Sequence, residues 1–415
     1  MTGPPVTLRL PRGLGTAALA PVGDVTAAIA AHDGRFEPHV MATLVRLLPR
    51  DGVAIDVGAN VGAIALVLAR AAPAGRVIAF EASPATVPVL RANLAANGEG
   101  GVEVVPVALG DRGGSVRLSA IAAGAGGSFV SPRELHGEGA EVAATTLDDW
   151  VEARGLQRLD LIKIDVEGSE PRVLDGARRT LARHRPALVV ECNPAALLRF
   201  QGVGAADLLE RLAGHGDVGW IAGRRVIRPV HGPDELVRVL RASGIADLVV
   251  VPGGLPRTGA RPLALAGRAR LARRLRASQG SPPRAQFVVE PGVHVEVDGP
   301  APDRVPAGEG LEVAVRVRNG TGGWLSSAFP HPVLVTHRWI RPDGGGPEDE
   351  PRTPLPVAIP PGGAAGVRLA PRAPGEPGRW TLLVRMVQEG YVWLDALDPG
   401  AEIRLDVLIE APGVP

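Results

Sequence analysis

The segment Ile55-Asp56-Val57-Gly58-Ala59-Asn60-Val61-Gly62 joins an apolar run to the start of a helical pattern. Gly58 and Gly62 allow backbone conformations and close approaches that a Cβ forbids. Exposed amides at a helix start favour a polar or anionic group. Many nucleotide-binding folds share such a turn, and the next strand narrows the choice. It ends at Phe80-Glu81, about 20 residues on, where a carboxylate accepts hydrogen bonds from ribose hydroxyls. Asn60 stands where a nicotinamide-type G-x-G-x-x-G turn has its second glycine. Asp56, at the strand tip, suits a cationic amino-acid group and suits pyrophosphate poorly. A ligand with an ammonium and a sulfonium, S-adenosylmethionine, fits that combination.

A second group of reactive side chains lies at Lys163, Asp165 and Glu167. Lys163 is the only lysine in the chain. Strand alternation puts Lys163 and Asp165 on one side and Ile162 and Ile164 on the other. Methyl transfer is an in-line displacement in which the protein aligns the nucleophile and removes its proton. One carboxylate of the Asp165/Glu167 pair can deprotonate a hydroxyl, or the pair can hold a divalent cation with hard oxygen ligands. Lys163 can steady Asp165 or orient the acceptor. The structural alternative is a Lys163–Asp165 ion pair with Glu167 at a helix start. Glu191 at the next strand tip is a lesser candidate, His136 reads as a loop residue, and Cys192 as a buried small side chain.

These residues need a frame that brings strand ends together. Apolar runs at 53–57, 76–80, 102–108, 159–165, 187–191, 219–222 and 247–251 read as strands, with an edge strand at 115–119. Helical patterns at 62–72, 83–97, 146–154, 170–183, 205–213 and 233–243 separate them. Ser83 with Pro84, and Thr146, are helix-start signals. Buried strands spaced by helices predict an α/β fold with a parallel sheet covered on both faces, Rossmann-like in class.

Several of these blocks, in order, resemble the FkbM family of class I methyltransferases. Residues 55–62 resemble its first motif, and Val77 through Pro84 its second strand. Asn93 and Asn97 fall where its members carry an asparagine pair. Val107 through Asp111, Thr146 through Trp150, Asp160 through Glu170, and Pro186 through Glu191 complete the match. The resemblance covers about residues 36 to 200 directly. It implies that Glu81 holds ribose, that Asp56, Gly58, Asn60 and Gly62 line the methionine side, and that Ala108 and Leu109 lie near adenine. It also implies O-methylation of natural products or saccharides.

The remainder changes character. Residues 253–286 are rich in Arg, Pro, Gly and Ala and read as a linker, with a basic helical pattern at 263–275. From Phe287 the period is two, with strands at 293–297, 311–318, 333–340, 366–369, 380–387 and 403–409 and turn signals at Asn319-Gly320 and Asp343-Gly344. That predicts an all-β, Ig-like sandwich over 287–415, after a methyltransferase domain over 1–252. Trp324, Trp339, Trp380, Tyr391 and Trp393 gather there, either as core fillers or as stacking surfaces for sugars. On one strand Val333, Val335, His337 and Trp339 share a face.

The bulk numbers exclude several classes. A net charge of +1 offers no field toward nucleic acid. A single cysteine rules out an intramolecular disulfide. There is no long apolar span and no secretory pattern at the start, so the expectation is a cytoplasmic protein of unassigned oligomeric state. The sequence therefore reads as an O-methyltransferase acting on a saccharide, glycan or glycosylated natural product, with no dedicated metal-ligand set. The alternative is a methyltransferase-fold protein that binds a glycan or partner without turnover. N-methylation is disfavoured, since no Asn-Pro-Pro-Tyr type motif is present.

Overall fold

The computed structural model describes residues 3–11, 13–120, 128–130, 139–223, 226–255, 286–327, 331–347, 350–388 and 392–411. His136, Tyr391 and the basic pattern at 263–275 lie outside them. The chain divides into two compact units, 1–236 with 245–260, and 237–244 with 261–415.

The first unit opens with a hairpin, β1 (Val6–Arg9) and β2 (Thr16–Leu19), then α1 (Asp24–Ala31) and α2 (Pro38–Leu47). The alternation of strand and helix follows: β3 (Val53–Val57), α3 (Ala63–Ala71), β4 (Arg76–Phe80), α4 (Thr86–Ala96) and β5 (Glu103–Val105). A small sheet is built from β6 (Ala108–Leu109), β7 (Gly114–Ala120), β8 (Ser128–Val130) and β9 (Gly139–Thr145). Then come α5 (Leu147–Arg154), β10 (Leu161–Ile164), α6 (Glu170–Asp175), α7 (Arg178–His184), β11 (Ala187–Cys192), α8 (Pro194–Gln201) and α9 (Ala205–Ala213). The series closes with β12 (Val218–Gly223), β13 (Val226–Pro229), α10 (Pro233–Ser243) and β14 (Ala246–Val250). The boundary between the units falls within α10.

The main sheet runs β13-β12-β14-β11-β10-β3-β4-β5. Its five strands from β11 to β5 are parallel. The other three strands make it mixed rather than wholly parallel. β14 returns antiparallel beside β11, and β12 and β13 form an antiparallel pair. The chain runs outward from β3 to β5 and then crosses back to β10, so strand order reverses between β3 and β10. Open α/β sheets place ligands at the carboxyl ends of strands at such a point. Helix α3 (AIALVLARA) is apolar on nearly every side and is buried along most of its length, as a helix covered all round must be.

Three local departures from the expected elements have physical causes. The strand expected over 102–108 splits, because Ala108–Leu109 leaves the main sheet to pair with β9. The helix expected over 170–183 breaks at Gly176, where a Cβ would lie 1.9 Å from the Gly110 carbonyl oxygen. Helix α4 starts at Thr86 rather than Ser83. Ser83 instead gives its amide to Glu81 and its carbonyl to the amides of Thr86 and Val87.

The second unit holds two sheets. One is β15 (Val293–Val297), β17 (Val313–Asn319) and β20 (Ala364–Leu369). The other is β16 (Arg304–Pro306), β23 (Glu402–Glu410), β21 (Gly378–Gln388), β18 (Val333–Ile340) and β19 (Arg352–Pro354), with β22 (Val392–Trp393) on β21. Along β15, β17 and β20 buried residues alternate with half-buried or exposed ones. Val333, Val335, His337 and Trp339 are all buried on β18. Trp380 is buried too, whereas Trp324 is exposed. Trp393 is half-buried with the Arg385 guanidinium 3.6 Å from its ring centre.

Candidate active site

The carboxyl ends of β3, β4, β10 and β11 enclose a cleft of about 250 Å³ in the first unit. Gly58, Asn60, Glu81, Ala108, Leu109, Lys163, Asp165 and Glu167 line it, as do Glu37, Leu118 and Glu191. Of the residues expected from sequence, Asp56 and Gly62 do not.

Gly58 has φ 80°, and a Cβ there would meet the Asp165 carbonyl oxygen at 1.8 Å. The close approach is therefore to the chain leaving β10. The turn's amides are already used. Those of Gly58 and Ala59 donate to the Phe80 carbonyl at 3.0 and 2.9 Å. That of Asn60, itself left-handed at φ 48°, donates to Glu81 Oε2 at 2.8 Å. Of the amides expected to serve a ligand, those of Gly58, Ala59 and Asn60 are thus taken up within the protein.

Glu81 sits at the tip of β4, half-buried, and its Oε1 also accepts the Ser83 amide at 2.8 Å. Burial raises its pKa, and the Ser83 and Asn60 amides offset part of that rise. The two amides fix the carboxylate at the cleft edge, and each oxygen keeps a further lone pair for hydroxyl donors. Beyond it Val107, Ala108, Leu109 and Leu118 offer an apolar wall suited to a flat base.

Gly62, at φ 92°, caps α3 on its N-terminal side, and a Cβ there would lie 2.7 Å from Leu90 Cδ1. It serves the packing of α3 on α4. Asp56 is fully buried one residue before the end of β3, directly opposite Lys163 in the ladder. Lys163 Nζ lies 3.9 Å from Asp56 Oδ1 and 2.9 Å from Asp165 Oδ2. Among the described residues neither Asp56 side-chain oxygen has a hydrogen-bond partner. Burial pushes its pKa up to about 6, with Lys163 opposing the rise. Asp56 therefore meets the protein's own cation. Burial would lower the Lys163 ammonium, but Asp165, Asp56 and Glu37 outweigh it and hold it above its ordinary range.

Glu167 is half-buried and left-handed at φ 50°, a conformation non-glycine residues keep only where their surroundings impose it. The imposing residue is Glu170. Its Oε1 accepts the amides of Val166 and Gly168 at 3.0 and 3.2 Å, so Glu170, not Glu167, organises this helix start. Glu170 Oε2 is buried with no hydrogen-bond partner among the described residues. Burial pushes Glu167 and Glu170 each up to about 7, assisted by neighbouring carboxylates including Asp165.

The sequence reading missed Glu37, whose signal was slight: a glutamate before Pro38 at a helix start. It brings its carboxyl within 4.8 Å of those of Asp165 and Glu191, and Glu167 is not in that group. Cys192 is wholly buried, and burial raises its thiol, so it is no nucleophile. Among the described residues, five carboxyl groups line the cleft against one ammonium and no guanidinium, a field that favours cations.

Residues 56–218 match the family model described as the methyltransferase FkbM domain. Over that stretch the chain is similar to FkbM methyltransferase domains. Among curated proteins, the methyltransferase sdnD of Sordaria araneosa is 31% identical over a match covering 31% of this chain and 61% of sdnD. The 2-O-methyltransferase NoeI of Sinorhizobium fredii is 28% identical, over 34% of this chain and 64% of NoeI. The chain thus spans less than two thirds of the length of either relative. A solved FkbM methyltransferase from Methylobacillus flagellatus aligns with 54% of this chain and 60% of its own at 17% identity, with a TM-score of 0.31. The FkbM match ends within β12, and the second unit lies beyond it. Glu37 lies before its start.

Proposed function

We propose that the chain is an S-adenosylmethionine-dependent O-methyltransferase whose acceptor is a hydroxyl of a saccharide, glycan or glycosylated natural product. One observation carries the choice of cofactor. The first three amides of the turn bond to Phe80 and Glu81, while the cleft beside it is lined by five carboxyl groups and one ammonium among the described residues. That environment repels phosphates and accepts a sulfonium and an ammonium. Glu81 would hold the ribose, and Ala108 and Leu109 would flank the base. When bound, the cofactor supplies a methyl group on a cationic sulfur that leaves as a neutral thioether.

The protein's own part is alignment and proton removal. Lys163 holds the Asp165 carboxyl in place at 2.9 Å. The acidic walls favour an uncharged acceptor over a phosphorylated or carboxylated one. The 2-O-methyltransferase name of NoeI supports oxygen as the acceptor atom. The second unit, with exposed Trp324 and half-buried Trp393, supports a saccharide acceptor. A divalent cation is not part of this proposal, because displacement at a sulfonium needs no Lewis acid and Lys163 already neutralises Asp165.

The test is calorimetric binding of S-adenosylmethionine, followed by incubation of the protein and methyl-labelled cofactor with host extract. Mass spectrometry of the labelled product should show an O-methyl ether, with turnover unchanged by EDTA. Cofactor binding without any labelled product would favour a binding protein on a methyltransferase fold. No cofactor binding would overturn the reading altogether.

A further inference from the structure

Glu37 lies outside the matched FkbM domain and yet completes its cleft. It belongs to the segment that also brings Val25 and Phe36 to the lining. That segment is fastened at its start. Asn97 holds the Ala18 amide and carbonyl at 2.9 and 2.7 Å, and Asn93 holds the Ala20 amide at 2.8 Å. The Asn93 side chain also donates to the Val61 carbonyl at 2.8 Å. One side chain thus ties the turn after β3 to the segment that leads to Glu37.

We propose that Glu37 is the carboxylate that receives the acceptor's hydroxyl proton; the assignment rests on the O-methyltransferase reading above. Three carboxyl groups from three elements, the start of α2 and the tips of β10 and β11, converge within 4.8 Å. Asp165 is engaged by Lys163 at 2.9 Å. Glu191 lies among Asp165, Glu167, Asp247 and Glu170, and burial with those charges raises it well above its ordinary value. Glu37 remains as the member able to exchange a proton there.

Its backbone supports the assignment. Glu37 is left-handed at φ 35° immediately before Pro38. A residue before proline ordinarily adopts an extended conformation. The groups facing it are Lys163 and Asp165 from β10, Asp247 from β14, Glu191 from β11 and its neighbour His39. Burial raises it to about 7, with Lys163 opposing and Asp165 and Asp247 adding to the rise, which suits a general base near neutral pH. His39 is tied to Asp247 at 3.0 Å.

In the step itself the acceptor O–H bond breaks toward a Glu37 oxygen as the acceptor oxygen bonds to the methyl carbon. The methyl–sulfur bond breaks with its electron pair on sulfur. The sulfonium charge and the Glu37 charge vanish together, and the proton leaves later to solvent.

The assignment is tested with Glu37→Gln and, for comparison, Glu167→Gln. Cofactor affinity is read by calorimetry, and kcat/KM across pH with a panel of neutral methyl glycosides. Glu37→Gln should bind S-adenosylmethionine within about threefold of wild type, lose roughly 100-fold or more in kcat/KM, and lose the acid limb near neutral pH. A second readout needs no cofactor. Infrared pH-difference spectra of the free protein should lose one titrating carboxyl band in Glu37→Gln. A variant that keeps its rate, its acid limb or that band overturns the assignment and leaves the O-methyltransferase reading standing. Removal of the acid limb by Glu167→Gln alone would do the same. A wild type that binds cofactor and methylates no hydroxyl overturns both.

Discussion

Asp56 and Lys163 face each other across β3 and β10, 3.9 Å apart, while the same ammonium reaches Asp165 at 2.9 Å. One cation therefore serves a carboxylate sealed in the sheet and a carboxylate that lines the cleft. Removing it leaves the buried charge uncompensated, which typically costs several kcal/mol. Lys163→Met should lower stability by about 3 kcal/mol at mildly alkaline pH. The loss should shrink toward pH 6, where Asp56 takes up a proton. Urea unfolding at two pH values measures both. A loss that does not change with pH would mean that Asp56 is not the group left exposed.

Gly58 and Gly62 look equivalent in sequence and differ in what surrounds them. A Cβ at Gly58 meets backbone, the Asp165 carbonyl oxygen at 1.8 Å. A Cβ at Gly62 meets the end of a flexible side chain, Leu90 Cδ1, at 2.7 Å. Both φ values are left-handed, so each alanine adds about 1 kcal/mol of backbone strain. Gly58→Ala must also push β10's exit away and should abolish cofactor binding. Gly62→Ala should keep binding and lose about 1–2 kcal/mol of stability. Equal effects on calorimetric affinity would sink this distinction.

The Glu170 carboxyl goes from 4.5 to about 7 on folding because burial disfavours its charge. Between those values the folded chain keeps a proton that the unfolded chain has released. The stability so contributed is complete below about 4.5 and is lost as pH rises through about 7. A shift of that size corresponds to about 3 kcal/mol. Glutamine mimics the protonated acid and keeps an oxygen for the Val166 and Gly168 amides. Glu170→Gln should fold normally and lose less Tm than wild type between about pH 5 and pH 8. An unchanged slope in calorimetric scans would remove Glu170 as its source.

What the sequence disclosed follows from how local each feature is. The turn after β3, the acid at the end of β4 and the 163–167 group were legible because strand period and helix-start signals act over a few residues. Lys163 and Asp165 share a side by simple alternation. Asp56 was placed in the cleft by the rule that strand tips meet ligands. Only the β3–β10 register shows that it faces Lys163 instead. Gly176 gives no local sign of its helix break, since the obstruction is Gly110, distant in sequence. Glu37 was invisible for the same reason. It reaches the cleft through a hairpin of short, weakly patterned strands, Val-Thr-Leu-Arg and Thr-Ala-Ala-Leu.

That hairpin supplies the last prediction. Asn93 is buried and bonds to two otherwise separate pieces of backbone, the Ala20 amide and the Val61 carbonyl. Asn93→Ala leaves both groups without these bonds, at about 2 kcal/mol in total. If the side chain fastens the segment that carries Glu37, the loss will not be uniform. Amide exchange should quicken across residues 6–20 and at the turn after β3, while the β10 and β11 amides keep their protection. KM for a methyl-glycoside acceptor should rise more than the dissociation constant for S-adenosylmethionine if Glu37 takes the acceptor's proton as proposed. Asn97→Ala, which frees the Ala18 contacts and a bond to the Asn93 carbonyl at the end of α4 and lies at a more exposed site, should loosen the hairpin with less effect at the turn. Exchange that rises equally in every strand would show that Asn93 supports the fold as a whole and does not couple the hairpin to the site.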